Sequence, residues 1–261
     1  MLRVELDGAL ATLTICNPDR RNAMTRAMWR SLATVAAQLP GQVRCLIVRG
    51  QGDHFSAGGD ISEYPDFRFE ENSLAHFHEE EVAPGLAALL DLDIPVIAMI
   101  DGFCMGGGLE IAACADIRIA SEHASFGAPI AKLGMPMAPR EMALLLRVAG
   151  EVTVREMLLE ACTLSAQEMK VRGFVQRLVR ADELEIETQR SAQRIAALSP
   201  QAARLNKQVL KRFFDRKQPL AGIESAQNAI ENIANPAYAY APSAEHIEGI
   251  TAFLQKRIPV F

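Results

Sequence analysis

A glycine-rich turn between an apolar run and a helix is the first place in this sequence where chemistry could occur. The run 94–100 (IPVIAMI) is typical of a buried strand. Gly106, Gly107 and Gly108 follow it and lead into a helical apolar pattern, so backbone N–H groups are exposed at a helix start, where negative charge is favoured. Glu110 lies in the first turn of that helix. A carboxylate beside bare amides can act as an acid or base next to an oxyanion site, although a tight turn with a capping glutamate has the same pattern.

A second glycine turn repeats this arrangement earlier in the chain. The apolar run 43–48 (VRCLIV) predicts another buried strand, and Ala57, Gly58 and Gly59 follow it in the segment HFSAGGDIS. A short helix is expected to begin near Asp60. If the two turns meet in the folded chain, two backbone N–H groups can converge on one oxygen.

The elements that must position these turns alternate between strand and helix, which predicts an α/β core. A hairpin is expected at 2–6 and 10–15, and Thr25 and Ser165 are expected to cap helices. From residue 184 onward the pattern is helical throughout, over 184–198, 201–215, 219–233 and 243–257. We therefore expect residues 1–195 to form the core with the site, and residues 196–261 to form a helical oligomerisation region.

Composition narrows the functional classes. The 261-residue chain has a net charge of −5, so no basic field indicates nucleic acid or an anionic membrane as a partner. Five scattered cysteines without a C-x-x-C pair indicate reduced thiols, and neither a signal peptide nor a membrane-spanning run is apparent. These features predict a cytoplasmic protein that binds neither nucleic acid nor membrane.

Several other site types do not fit the sequence. A dinucleotide fingerprint read from Gly106 would need a small residue where Ile111 stands, and no P-loop or G-x-S-x-G motif occurs. His76 and His78 are two residues apart and would not share a helix face, so we expect no metal site.

Five segments together carry a family resemblance. They are RRNAM at 20–24, HFSAGGDI at 54–61, DGFCMGGGLE at 101–110, ASFGAPIAKLG at 124–134 and EGITAFLQKR at 248–257. In this order, and over essentially the whole chain, they resemble the crotonase (enoyl-CoA hydratase/isomerase) superfamily.

The resemblance implies a fold and a chemistry. The fold would be a crotonase-like spiral of ββα units, as in the ClpP/crotonase class, with C-terminal helices that assemble a homotrimer or a dimer of trimers. The substrate would be an acyl-CoA or enoyl-CoA, and no cofactor would be needed beyond the CoA of the thioester itself. The backbone N–H groups of Gly59 and Gly107 would hold the thioester oxygen.

The resemblance also implies contacts to CoA. In the core these would involve Arg21, Ala23, Ala57 and Ile61. Ser62 stands where the family often has a lysine, so one phosphate contact would be missing. Phe253 and Lys256 resemble residues that close the CoA site of a neighbouring subunit, although for Lys256 a solvated surface position is an equal alternative.

The catalytic pattern departs from the family at one position. Hydratases of this family use two glutamates, one activating water and one delivering a proton to the α-carbon, and Glu110 matches the first. The second follows a proline in the family, and here that residue is Ile130, which cannot carry a proton. The resemblance implies an acyl-CoA-processing enzyme of the hydratase/isomerase family with a single glutamate acid/base, and hydratase is the expected label. Because the second glutamate is replaced by Ile130, an enoyl-CoA isomerase or an acyl-CoA hydrolase is the alternative. A non-catalytic scaffold that binds CoA thioesters is the alternative from another class.

Two places could supply a replacement acid. Glu141 could approach the pocket, but a glutamate at a helix start is expected on the surface. His78, Glu79 and Glu80 lie in a variable segment, and a solvated helix is the default expectation for them.

Overall fold

The computed structural model describes residues 1–214 and 239–261 of the chain. The helix expected at 219–233 lies outside the described residues. Within residues 1–214 and 239–261, no helix combines the length and the apolar character needed to cross a membrane.

In the described part of the chain, nine strands form two sheets. They are β1 (Leu2–Asp7), β2 (Leu10–Ile15), β3 (Cys45–Gly50), β4 (Val96–Ile100), β5 (Phe103–Met105), β6 (Ile117–Ser121), β7 (Ser125–Gly127), β8 (Thr163–Ser165) and β9 (Arg177–Val179). The larger sheet has the order β1-β2-β3-β4-β6-β9, in which only the β1–β2 hairpin is antiparallel. The smaller sheet has the order β5-β7-β8, with β5 and β7 parallel.

The central strands of the larger sheet are buried on both faces, which explains their continuous apolar sequences. In β3, Leu46 and Val48 belong to one hydrophobic cluster, while Cys45 and Ile47 belong to another. Every residue of β4 is buried. The sequence therefore predicted these strands correctly, within one to two residues at their ends, whereas the three-residue strands β5 and β8 were not predicted.

The helices surround these sheets. They are α1 (Arg26–Ala37), α2 (Glu71–His76), α3 (Ala83–Asp91), α4 (Gly107–Cys114), α5 (Pro139–Ala149), α6 (Glu151–Leu159), α7 (Ala166–Val171), α8 (Leu184–Ala196), α9 (Pro200–Phe214) and α10 (Ala244–Leu254). The predicted caps are confirmed, because Thr25 accepts from the Met28 N–H and Ser165 forms a capping box with Glu168. A π-helical stretch, Phe77–Val82, joins α2 to α3.

A buried ion pair fixes this π-helical stretch against α1. Glu81 is 2% exposed, and its carboxylate accepts from Arg26 Nε at 3.0 Å and from Arg30 Nη1 at 3.4 Å. A π-helical turn shifts the side-chain register relative to an α-helix, and such turns are frequent at functional sites. The pair thus holds in place the segment that contains His78.

The C-terminal helices contact the core directly. Leu184 and Ala192 of α8 are buried in the cluster on the second face of the larger sheet. Lys207 of α9 forms an ion pair with Asp116 at 2.8 Å, and Arg44 donates to the carbonyl of Phe261 at 2.7 Å. The expected division into residues 1–195 and 196–261 stays a prediction.

Candidate active site

Backbone pairing brings the two glycine turns side by side. Ser56 donates to the carbonyl of Phe103 at 2.8 Å, and Met105 donates back to the carbonyl of Ser56 at 2.9 Å. Just beyond this pairing, Gly58 and Gly106 adopt φ angles of +99° and +47°. Residues with a side chain are disfavoured in this region, so both turns depend on glycine. The structure therefore confirms the prediction that the two turns lie next to each other.

Two amide groups are left without partners at this junction. Met24 donates to the carbonyl of Gly58 at 2.7 Å and accepts from Asp60 at 2.8 Å, so the intervening Gly59 N–H points away from this pairing. Gly107 is the first residue of α4, where the N–H has no intrahelical acceptor. Neither N–H donates to any acceptor in the described part of the chain. The two amides are close, because a Cβ built on Gly107 would lie 3.7 Å from the nitrogen of Gly59.

Both amides border a cavity of about 230 Å³. Most of its wall is apolar. The titratable side chains on the wall are Tyr64, Arg68, His78, Glu110 and Glu141. Across residues 1–214 and 239–261, no three His, Cys, Asp or Glu side chains come together as a metal site would require.

Glu110 lies in the first turn of α4, directly after the unpartnered amide of Gly107. Glu110 is 8% exposed, and none of the described groups donates a hydrogen bond to its carboxyl group. Burial raises the pKa of Glu110 to about 8, and the charge of Glu141 adds to this increase. A carboxyl group with such a pKa can both give and take a proton near neutral pH.

Glu141 also lines the cavity. It is 3% exposed, and its Oε1 lies 2.9 Å from Nδ1 of His78. The expectation of a surface glutamate is wrong, because Glu141 lies on the same face of α5 as the buried Leu144 and Leu145. That i, i+3, i+4 spacing was present in the sequence and could have indicated burial.

The solvated-helix expectation is wrong for His78 as well. Its side chain is 20% exposed and lines the cavity. The distance from Nε2 of His78 to Nη1 of Arg68 is 3.5 Å. The guanidinium of Arg68 stacks 4.5 Å above the ring of Tyr64. Glu79 and Glu80 are exposed as expected, and Glu79 pairs with Arg140 at 2.6 Å.

Ile130 also lines the cavity, in the short 3₁₀ helix Pro129–Leu133. The position at which the family resemblance implies a second carboxylate is therefore at the cavity, and here it presents an apolar side chain.

The residues expected to bind CoA fall into two groups. Ala57 and Ile61 line the cavity, and Ala57 donates to the carbonyl of Arg21 at 2.9 Å. The guanidinium of Arg21 lies 5.0 Å above the ring of Phe103. Ala23, two residues further along the chain, is buried. The hydroxyl of Ser62 donates to Asp60 at 2.6 Å.

Phe253 and Lys256 form the second group and lie outside this cavity. Phe253 is 81% exposed, and Lys256 is exposed as well. Their expected role concerns a neighbouring subunit and stays a prediction, as do the CoA contacts of Arg21, Ala23, Ala57 and Ile61.

The arrangement suits stabilisation of an oxyanion. Two fixed, unpartnered amides can donate to an oxygen that gains negative charge, and a carboxyl group of raised pKa stands beside them. A family model described as enoyl-CoA hydratase/isomerase matches residues 5–261. The chain belongs to the enoyl-CoA hydratase/isomerase family. The crotonase resemblance is thereby confirmed, and so is the expectation of an enzyme of this family, whose reaction the match leaves open.

Individual relatives agree with this assignment. Mevalonyl-coenzyme A hydratase of Aspergillus fumigatus is 31% identical over 95% of this chain and 89% of its own length. The human mitochondrial enoyl-CoA hydratase domain-containing protein 3 is 30% identical, over 98% of this chain and 82% of its own. A crystal structure of an enoyl-CoA hydratase/carnitine racemase from Magnetospirillum magneticum superposes with a TM-score of 0.89 at 34% identity, covering 100% of this chain and 94% of that one. The α/β crotonase-like fold is therefore confirmed.

Proposed function

We propose that this member of the family processes acyl-CoA thioesters, with the thioester oxygen held by the amides of Gly59 and Gly107 and with Glu110 as an acid/base group. The observation that carries the proposal is the pair of unpartnered amides beside a buried carboxyl group on one cavity wall. The family match and the hydratase relatives support the substrate class.

The physics of the reaction explains why these groups would be used. When a proton leaves or joins the α-carbon of a thioester, negative charge develops on the carbonyl oxygen. Fixed amide donors stabilise that charge without reorganising, and removing one such donor typically costs about 10²–10³ in rate. The substrate brings its own CoA, so we propose that no further cofactor takes part.

Three reactions are compatible with a glutamate at this place. Hydration is one of them, and hydratase is the activity in the printed names of several relatives. The apolar side chain of Ile130 favours enoyl-CoA isomerisation instead, which a single base can perform by moving a proton between the α- and γ-carbons. Acyl-CoA hydrolysis, with Glu110 orienting the water, is a third use of the same groups.

The decisive experiment compares the wild type with Glu110→Gln. Crotonyl-CoA hydration, 3-enoyl-CoA isomerisation and acyl-CoA hydrolysis are measured for both proteins. We expect the variant to lose about 10²–10⁴ in kcat/KM for whichever reaction the enzyme catalyses. Glu151→Gln is the matched control, because Glu151 is an exposed glutamate near the start of α6 and pairs with Arg155 at 2.7 Å.

Two results would contradict the proposal. If Glu110→Gln retains full activity, Glu110 is not the acid/base group. Tight acyl-CoA binding by calorimetry without turnover of any substrate would favour a binding scaffold instead.

We further propose that the chain assembles as a homotrimer or a dimer of trimers in the cytoplasm, and that neither nucleic acid nor membrane is a partner. The exposed Phe253 on the last turn of α10 would then contribute to a neighbouring subunit's site. Light scattering gives the assembly mass, and the loss of CoA affinity in Phe253→Ser without loss of the assembly would support the contact.

A further inference from the structure

Two titratable side chains on the cavity wall have no role in the function proposed above. Glu141 is almost completely buried, and His78 is mostly buried against it. Burying a carboxylate is costly unless its oxygens are satisfied, so such a residue needs an explanation. The position that would normally supply a second carboxylate is Ile130, on the same cavity.

We propose that Glu141, positioned by His78, is the second proton-transfer group of this site and works with Glu110 as a carboxyl pair that shares one proton. This inference rests on the proposed acyl-CoA function. It returns to the cavity the second carboxylate that Ile130 does not provide, with the two roles exchanged. Glu141 activates the water, and Glu110, which the resemblance matches to water activation, delivers the proton to the α-carbon.

A second buried glutamate shows what a purely structural carboxylate looks like in this protein. Glu81 is 2% exposed, but both of its oxygens accept from guanidinium groups, those of Arg26 and Arg30. Glu141 has no arginine or lysine partner among the described residues, and only its Oε1 has a donor, the imidazole of His78. Its Oε2 is therefore free to meet a substrate or a water molecule in the cavity.

The geometry also fixes the direction of the His78 contact. A guanidinium can only donate, so Nε2 of His78 faces Arg68 as an acceptor. The ring proton then resides on Nδ1 and is donated to Glu141. This hydrogen bond orients the carboxyl group of Glu141, which makes His78 a positioning residue.

The two carboxyl groups differ in environment, as an acid/base pair requires. Burial raises the pKa of Glu110 to about 8, so Glu110 holds a proton at neutral pH, while Oε1 of Glu141 accepts a hydrogen bond from His78. In hydration, Glu141 takes a proton from water as the oxygen bonds to the β-carbon. The double-bond electrons move to the thioester oxygen, and the enolate then takes the proton of Glu110 at the α-carbon. Return of the proton from Glu141 to Glu110 restores the pair, and the net change is the addition of one water.

The test measures crotonyl-CoA hydration and 3-enoyl-CoA isomerisation over pH 5–10, a range chosen around the Glu110 pKa of about 8. We expect Glu141→Gln to lose about 10²-fold in kcat/KM. The alkaline limb of its pH profile should also move to lower pH, because the charge of Glu141 no longer raises the pKa of Glu110. An unchanged limb would show that the charge of Glu141 does not act on Glu110, which contradicts the pair.

Two further variants keep the test valid if Glu141→Gln folds poorly. His78→Leu removes the donor but keeps the carboxyl group, and we expect kcat to fall about 10-fold with KM unchanged, as for a group that acts only in the transition state. Ile130→Glu in the Glu141→Gln background returns a carboxylate to the cavity wall, and we expect it to restore part of the activity. Glu151→Gln serves again as the matched surface control.

The outcomes separate this inference from the proposed function. If Glu110→Gln is inactive while Glu141→Gln keeps the activity and pH profile of the wild type, the pair is wrong and the proposed function stands. If Glu110→Gln is fully active, the proposed function fails first. Equal losses in Glu141→Gln and His78→Leu with unchanged pH profiles would show that the two residues only support the fold.

Discussion

The lining of the cavity has two parts built from different kinds of atoms, which we call the backbone wall and the side-chain wall. On one wall, the amides of Gly59 and Gly107 are backbone groups, held by hydrogen bonds between neighbouring segments of chain. On the other wall, His78 and Glu141 are side chains from two elements that meet only through tertiary packing. The backbone wall could be predicted from short sequence motifs, whereas the side-chain wall was identified only from the structure.

This difference has a physical origin. A backbone donor can be specified locally, because glycines at positive φ and a parallel bridge determine where the N–H points. A side-chain acid can be supplied from any element that faces the cavity, so its place in the sequence can change while its place in space is kept. The absence of a carboxylate at residue 130 therefore does not by itself define the reaction.

The largest expected effect concerns the backbone wall. In Gly107→Ala the new methyl group would lie 2.7 Å from Cζ2 of Trp29, which is 2% exposed and cannot move aside freely. The amide must shift, and we expect kcat/KM to fall by about 10²–10³. Steady-state kinetics with whichever substrate the wild type turns over measure this loss, and thermal unfolding checks that the fold is intact.

Two variants make the result interpretable. Trp29→Phe in the Gly107→Ala background provides space for the methyl group and should recover part of the activity. Gly41→Ala is the control, because a Cβ there meets nothing within 4 Å. Unchanged kinetics in Gly107→Ala would mean that this wall does not hold the reacting oxygen.

Most of the fold could be predicted from the sequence, for the same reason that the backbone wall could. Buried parallel strands such as 94–100 and capped helices such as the one that begins after Thr25 depend on local pattern. Strand β5 was missed because three residues carry too little periodicity, yet its bridge to Ser56 aligns the two turns. The burial of Glu141 was not predicted, because its charge and its position near a helix start were given more weight than its spacing to Leu144 and Leu145.

A smaller effect is expected on the pH dependence of stability, and it distinguishes the buried carboxyl group of Glu110 from an exposed one. The pKa of Glu110 is raised in the folded protein from 4.5 to about 8, so the folded state binds its proton more tightly than the unfolded state does. The stabilisation is complete below pH 4.5 and is lost as the pH rises through about 8. The charged and titratable groups on the same cavity or helix are Tyr64, Arg68, His78, Cys114 and Glu141.

Urea unfolding at pH 5 and pH 9 measures this difference. Relative to Glu110→Gln, the wild type should lose on the order of a few kcal/mol of unfolding free energy between these two values. Parallel pH dependence in the two proteins would show that Glu110 titrates normally, and the argument for a proton held at neutral pH would then fail.

The smallest effect is expected one residue away from the side-chain wall. Arg140 precedes Glu141 in α5, but it points outward and pairs with Glu79 at 2.6 Å, with side-chain exposures of 69% and 44%. Exposed ion pairs contribute about 0–1 kcal/mol, because water and salt screen them and both side chains lose freedom. Arg140→Gln should therefore change the unfolding free energy by less than about 1 kcal/mol and leave kcat/KM and its pH profile as in the wild type. If it instead reproduces the pH shift expected for Glu141→Gln, the charge at the start of α5, rather than the carboxylate inside the cavity, governs Glu110.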